Sequence, residues 1–409
     1  MAKNKPDTQT DTKKVVDRGE LPALMEPLRI SPDSRSREEL SDLAVELAAR
    51  AAGFSRSLPR GILSSLSTLV RSMNCYYSNL IEGHNTHPID IERALKNDYH
   101  ADIQKRNLQL EAKAHIAVQN WIDQGGPSGL ATTADGIREI HKQFGEHLPD
   151  ELLWVENPES GERMHVTPGL FRQRDVKVGK HVPVSPGALP RFMQRFEEVY
   201  TGLGTAETII ALPAAHHRFL WIHPFLDGNG RVARLMSHAI LQETLATGSI
   251  WSISRGLARN VDTYKSHLAN CDQQRRNDLD GRGNLSEESL IEFSRFFLQT
   301  CIDQINFMEN LIQPERLQHR ILTWAKEEIS IGTLPAKSEI ILEALLCRGE
   351  LPRSESPGLL GVGDRQARRL IAALIERGVL TAASTRAHLH LAFPANLASR
   401  WMPGLFPDQ

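Results

Sequence analysis

Apolar residues recur at helical spacing along most of this chain. In "REELSDLAVELAARAAGF", Leu40, Leu43, Leu47 and Ala51 share one face. Ile62, Leu66, Leu69, Val70 and Met73 repeat the pattern, and Gly83 is placed to stop that helix. The same spacing predicts helices over about 103–124, 134–146, 187–202, 206–221, 260–278 and 286–311. Val232, Leu235, Met236, Ala239 and Ile240 predict a buried helix starting near Asn229 or Gly230 and ending near Gly248. "RDVKVGKHVPVSP" breaks the rhythm: Val176, Val178, Val182 and Val184 alternate about Gly179, which reads as a short hairpin. Pro183 and Pro186 limit its pairing, so it is expected as an edge or free-standing flap.

The last ~75 residues predict a separate unit, since chains of this length divide into roughly two to three domains. "KSEIILEALLCRGE" reads as one helix; a short helix, a glycine-containing turn and a second helix over 364–377 follow. "LTAAS" and "AHLHLAF" then read as a two-stranded wing, which gives the order of a winged helix-turn-helix. The expected class is mainly α, a helical bundle with a short β-hairpin flap plus a C-terminal winged-helix domain. The expected division is a disordered tail over 1–20, a helical region over 21–125, a core over 126–311, a connecting helix over 312–335 and the module over 336–409.

With 40% hydrophobic residues, 24% charged residues and a net charge of -2, the composition is that of a globular chain with no global pull towards nucleic acid or membrane. The four cysteines (Cys75, Cys271, Cys301 and Cys347) form no C-x-x-C pair, so buried free thiols are expected rather than a zinc site or disulfide framework. The first residues lack the apolar region of a secretory signal, and no run approaches 18 apolar residues. The expected location is cytoplasmic, with no membrane partner.

"HPFLDGNGRVAR", residues 223–234, concentrates the chemistry. A helix N-terminus carries about half a positive charge and unpaired N–H groups. Arg231 and Arg234 in the first turns cost about 0.3–1 kcal/mol each unless an anion compensates. Gly228 and Gly230 remove Cβ atoms where a ligand or backbone comes close. Together they form a concave positive site suited to a di- or triphosphate. Asp227 is misplaced there unless a cation such as Mg²⁺ lies between it and the phosphates. His223 is a candidate base for a hydroxyl. Asp227 as a plain N-cap with surface arginines is the bland alternative, outweighed by the coincidence of these residue types in one short stretch. The missing G-K-[ST] ending excludes a P-loop, and the preceding helix excludes a Rossmann turn.

This stretch resembles the Fic family signature H-P-F-x-[DE]-G-N-[GK]-R-x-x-R, at His223, Pro224, Phe225, Asp227, Gly228, Asn229, Gly230, Arg231 and Arg234. "FRQRDVKVGKHVPVSP" resembles the family's flap, and "SRGLARNVDTYKSHLANCDQQR" its following helix; the similarity covers roughly residues 60–310. The resemblance implies AMP transfer from ATP to a Ser, Thr or Tyr hydroxyl of a protein held as an extended segment at the flap, and to the chain itself. It implies His223 as base and Asp227 as ligand of Mg²⁺ (or Mn²⁺). It implies Gly228, Asn229, Gly230, Arg231 and Arg234 as phosphate ligands, Tyr264 near the base of ATP, and Val176 and Gly179 on the flap.

"SNLIEG" is a second misfit. Glu82 faces the negative end of its helix, and Ser78 lies one turn earlier on the same face. The segment matches the family's inhibitory motif [ST]-x-x-x-E-[GN], which implies an inhibitory helix over about 60–83, with Glu82 paired to Arg234 in place of the γ-phosphate. In some members this glutamate orients water for AMP removal. The sequence leaves open that reverse hydrolysis, a homodimer, the target's identity and the trigger that relieves inhibition. It also leaves open a DNA contact through Arg365, Arg368 and Arg369, which would make the chain a DNA-binding regulator with a nucleotide-sensing core.

Overall fold

The computed structural model describes residues 15–57, 59–157, 160–245 and 247–407. Helices dominate: α1 (Arg37–Arg56), α2 (Arg60–Ile81), α3 (Pro88–Leu95), α4 (Ile103–Asp123) and α5 (Ala134–Glu146) precede a hairpin of β1 (Trp154–Glu156) and β2 (Arg163–His165). Then come α6 (Leu189–Tyr200), α7 (Thr205–Ile222), α8 (Asn229–Leu245), α9 (Ile253–Arg259), α10 (Val261–Cys271) and α11 (Glu287–Leu311). The chain closes with α12 (Pro314–Ile331), α13 (Ser338–Arg348), α14 (Ser356–Leu360), α15 (Asp364–Glu376), β3 (Leu380–Thr381), β4 (His390–Leu391) and α16 (Ala398–Trp401).

The hairpin of α7 and α8 is the centre of the bundle. From Ile209 to Phe219 every residue of α7 is buried, and α8 is buried from Arg231 to Leu241. Each large apolar side chain so enclosed contributes about 1.5–3 kcal/mol. Long α11 packs across α1, α7, α9 and α10, while α2 lies against α4 and α9. β1 and β2 pair antiparallel with Val155 opposite Met164; β3 and β4 pair with Leu380 opposite Leu391. No helix among the described residues is long and apolar enough to cross a membrane.

The periodicity places the long helices closely, and four features differ. The helix expected to 278 ends at Cys271, because "DQQRRNDLDGRGN" offers no apolar stripe and Asp280 instead caps the next helix, accepting from Ser286 Oγ and Glu288 N at 2.9 Å each. The flap reduces to one antiparallel bridge, Val178 to His181, around Gly179 at φ +59°. Residues 1–14 of the expected disordered tail lie outside the described residues, but 15–20 are strapped to the base of the flap. Arg18 holds the Asp175 carboxylate at 2.9 and 3.0 Å, Gly187 N donates to Val16 O at 2.8 Å, and Arg191 grips Asp17 at 2.7 Å. Cys347, expected buried, is exposed; Cys75, Cys271 and Cys301 are buried free thiols.

Candidate active site

The chain turns from α7 into α8 through His223, which takes the left-handed conformation at φ 51°. For a non-glycine residue this costs on the order of 1 kcal/mol, so the surroundings have to enforce it. Buried Arg172 does so. Its Nε donates to His223 O at 2.8 Å, its Nη2 to Val184 O at 2.5 Å, its Nη1 to Arg174 O at 2.9 Å, and its backbone N–H to Pro224 O at 2.8 Å. One guanidinium thus ties both legs of the flap to the end of α7. His223 Nδ1 faces Leu220 O at 3.3 Å; a carbonyl only accepts, so the proton sits on Nδ1 and Nε2 is free. Burial, with the nearby Arg172 charge, pushes the His223 pKa down to about 4, so the imidazole is neutral at pH 7.

The loop between the helices is closed by Asn229. Its Oδ1 accepts from Phe225 N at 3.0 Å and its Nδ2 donates to Phe225 O at 2.9 Å. One N–H of that carboxamide is used in closing the loop, and the second stands beside the backbone N–H groups as a further donor at this turn. Gly228, at φ +81°, makes the bend. His141 supports the loop from behind: its ring stacks on Phe225 at 3.9 Å, its Nδ1 accepts from Gly169 N at 2.8 Å, and its Nε2 meets Asp227 O at 3.3 Å. Burial pushes its pKa down to about 4.

Both arginines of the stretch are met by carboxylates. Arg231 donates to Asp227 Oδ2 at 2.7 Å and Glu111 Oε2 at 3.2 Å, and Glu111 in turn meets His84 Nδ1 at 3.2 Å. Arg231 Nε is buried without a partner among the described residues, so two carboxylates do not exhaust this cation. Arg234 donates to Glu82 Oε1 at 2.5 Å, Ser78 Oγ at 2.9 Å and Ser78 O at 3.3 Å. Burial alone would raise the Glu82 carboxyl; Arg234 outweighs it and holds the group below its ordinary range. Gly230 has a second reason to lack a side chain: a Cβ there would stand 2.4 Å from Glu82 Oε1.

Tyr264, expected near a nucleobase, is buried under Arg234's helix. Ser237 Oγ donates to Ala233 O at 2.9 Å and accepts from His216 Nδ1 at 2.8 Å, so His216 Nε2 accepts from the Tyr264 hydroxyl at 2.7 Å. Val176 and Gly179 lie on the flap, Gly179 exposed at its tip. The structure therefore gathers His223, Asp227, Gly228, Asn229, Gly230, Arg231, Arg234, Ser78 and Glu82 at one helix start. Arg172, Glu111, His141 and His84 belong to the site and are not found by sequence reasoning. Glu111 is 120 residues from Arg231 and nothing in its own helix marks it. Arg172, two residues ahead of Arg174 in the flap's first leg, carries only the weak signal of a cation in a mixed stretch.

No group of three or more His, Cys, Asp or Glu among the described residues is arranged for a metal ion. Asp227 is half-exposed at the helix start and is one carboxylate, which suits a Mg²⁺ that brings phosphate oxygens and water as its other ligands. Arg231 takes only Oδ2 of Asp227, so Oδ1 is the oxygen that would face such an ion.

Residues 131–241 match the Fic/DOC family. Over 114 residues the chain is 42% identical to a "Protein adenylyltransferase Fic" of Drosophila erecta, covering 27% of this chain and 20% of that one. A protein of the same name from Nematostella vectensis is 27% identical over 193 residues, 45% of this chain and 41% of the relative. The chain thus spans about a fifth to two fifths of the length of these relatives. Among solved structures, a Fic family protein from Desulfovibrio desulfuricans G20 has the same fold, with a TM-score of 0.51 and 15% identity over 89% of this chain and 98% of that one. Residues 131–241, which carry the loop and both helices of the candidate site, are thus the part of the chain similar to the Fic/DOC family.

Proposed function

We propose that the chain is an autoinhibited protein adenylyltransferase, moving AMP from ATP to a Ser, Thr or Tyr hydroxyl of a target protein and of itself. The observation that carries the reading is Glu82 seated on Arg234 at 2.5 Å, beside a neutral base, at a helix start built for phosphates. An anion already occupies the place of the one the site needs.

In the reaction, the target hydroxyl oxygen attacks the α-phosphorus. The bond from that phosphorus to the α,β-bridging oxygen breaks, pyrophosphate leaves, and the hydroxyl proton goes to His223 Nε2. Mg²⁺ held by Asp227 would neutralise phosphate charge. The chain's own share is orientation and electrostatics. Arg172 fixes the base and the flap in one frame, the backbone of Gly228–Gly230 presents donors, and Arg234, once released by Glu82, holds the terminal phosphate. An extended target segment would lie along the flap, beside a cavity lined in part by Met164, Leu170, Phe171 and Leu226.

Labelled ATP with Mg²⁺, followed into the chain and into lysate proteins, tests the proposal. Glu82→Gly should raise labelling at least about tenfold, since ~1.4 kcal/mol of released restraint suffices. Arg234→Ala should lower it, and the double variant should resemble Arg234→Ala. His223→Ala should abolish transfer while ATP still binds. Labelling by His223→Ala at the wild-type rate would remove the base from the reaction. Unchanged labelling in Glu82→Gly would remove the inhibition.

A further inference from the structure

The C-terminal unit is attached to the bundle through several of its elements. β4 packs on α2, and Ala395 N donates to Glu92 Oε2 of α3 at 2.9 Å. Arg377 at the end of α15 pairs with Glu328 of α12 at 2.8 Å, and Arg400 pairs with Glu327 of the same helix. The exposed face of α15 takes part in none of these contacts apart from Arg377 at its end. Ala367, Leu370, Ile371 and Leu374 form its buried stripe, and Arg365, Gln366, Arg368 and Arg369 are all exposed on the rest.

The charge on that face is unlike the rest of the unit. Arg348, Arg377 and Arg400 each have a carboxylate partner. Arg365, Arg368 and Arg369, at i, i+3 and i+4, have none among the described residues, and neither has exposed Arg386 in the loop between β3 and β4. Three cations crowded on two helical turns repel one another, and among the described residues none forms an ion pair, Asp364 at the start of the helix being the one carboxylate of its first turn. The surrounding order supplies a shape for what would. α13 is followed by Leu351 bridged to Leu389, then α14, a turn through Gly361, α15, and the antiparallel β3 and β4, whose connecting loop carries Arg386. A helix of 13 residues is about 20 Å long and about 10–12 Å across, which a DNA major groove of ~12 Å accepts.

We infer that the outer face of α15, with the β3–β4 loop, is a duplex DNA-binding surface. Arg365, Arg368 and Arg369 meet phosphates along the groove, Gln366 points at base edges, and Arg386 reaches the flanking backbone. The inference is independent of the transfer chemistry, since no residue of the candidate active site takes part. Four phosphate contacts predict moderate affinity that falls steeply with salt, with a slope of log Kobs on log salt near about -3.6.

The test is fluorescence anisotropy of a labelled mixed-sequence 30-base-pair duplex with the full chain between 50 and 200 mM KCl. Wild type should bind at 50 mM and lose affinity roughly a hundredfold by 200 mM. Arg368→Glu with Arg369→Glu should bind at least tenfold more weakly. Arg368→Gln with Arg369→Gln should be intermediate with a flatter salt slope. Arg348→Glu, which alters an already paired arginine, should leave binding unchanged. Circular dichroism checks that these exposed substitutions leave the fold intact. Binding that is equal in wild type and both double variants overturns the proposal. Absence of binding by wild type at 50 mM also overturns it, and poly-glutamate bound by wild type alone would then assign the face to an acidic protein.

Discussion

At the scale of single residues, the site is a set of ions paired with one another, and the proposed transfer would require them to take up new partners. Arg234 has Glu82, Arg231 has Asp227, and Asp227 therefore has a cation that is not a metal. His223 alone is in its working state. With its pKa pushed down to about 4, the rate of labelling should stay level from about pH 8 to about pH 6; a histidine at the ordinary 6.5 would lose about three-quarters of its base form over that range. Arg172→Gln removes the neighbouring charge that depresses His223, so the acid limb should move to higher pH as the rate falls. A rate loss with an unmoved limb would leave Arg172 with a purely structural part. Labelling should also vanish in excess EDTA and in Asp227→Ala; full activity in EDTA would give that carboxylate another task. Much of this was legible in the sequence, because two arginines at a helix start and a glutamate at a helix end are each locally unfavourable and name each other as partners. Glu111 and His141 were not legible. Each sits on a regular amphipathic helix where a polar residue is locally unremarkable, and only the packing of α4 and α5 against α8 turns it towards the loop.

At the scale of elements, α2 is gripped at two consecutive residues by two different parts of the molecule. Ser78 accepts from Arg234 of α8, while the Tyr77 hydroxyl donates to Leu405 O at 2.9 Å. Gly404 O next to it accepts from Arg255 of α9 at 2.8 Å, and Phe406 meets Tyr76 edge-on at 5.6 Å. Leu405 is wholly buried there. Residues 404–406 thus pack around the part of α2 that leads into Glu82, and this docking should help to hold Glu82 on Arg234. Tyr77→Phe should cost about 1 kcal/mol at this contact and raise labelling up to roughly fivefold. Ending the chain at residue 401 should raise it further, with faster amide exchange in the last turn of α2. In the Glu82→Gly background neither change should add more. Unaltered exchange in α2 after truncation would show that the tail holds nothing. Helix periodicity located α2 itself, but this docking was invisible to it, since α2 and the tail are more than 300 residues apart and "PGLFPD" has no period. Short α3 and α9 escaped for a related reason, being too brief to repeat a stripe.

At the scale of the whole molecule, both ends of the described chain are fastened to elements around the candidate site, 15–20 to the base of the flap and 405–406 to α2, so loss of the bundle's stability should also disturb the site. That stability should depend markedly on pH. Burial is the first cause lowering the pKa of five histidines, His115 and His216 to about 3, and His141, His217 and His223 to about 4. All are neutral in the folded chain down to those values, whereas the unfolded chain takes up protons below about 6.5. The folded state is therefore fully favoured above about pH 6.5 and loses stability as pH falls, by about 1.4 kcal/mol per pH unit for each histidine. Five such groups acting over two pH units reach on the order of 10 kcal/mol, comparable with the ~5–15 kcal/mol that holds a protein folded. Cooperative unfolding should therefore set in between about pH 6 and pH 4, before the Glu82–Arg234 pair is protonated apart, because Arg234 holds that carboxyl below its ordinary range. Urea unfolding at a series of pH values measures this directly, the slope of free energy on pH counting the protons taken up. Since desolvation and not surface repulsion drives the effect, 0.5 M KCl should leave the slope in place. A free energy that stays level down to pH 4.5 would mean that these imidazoles are hydrated in the folded chain, and with that the argument for a neutral His223 would fall as well.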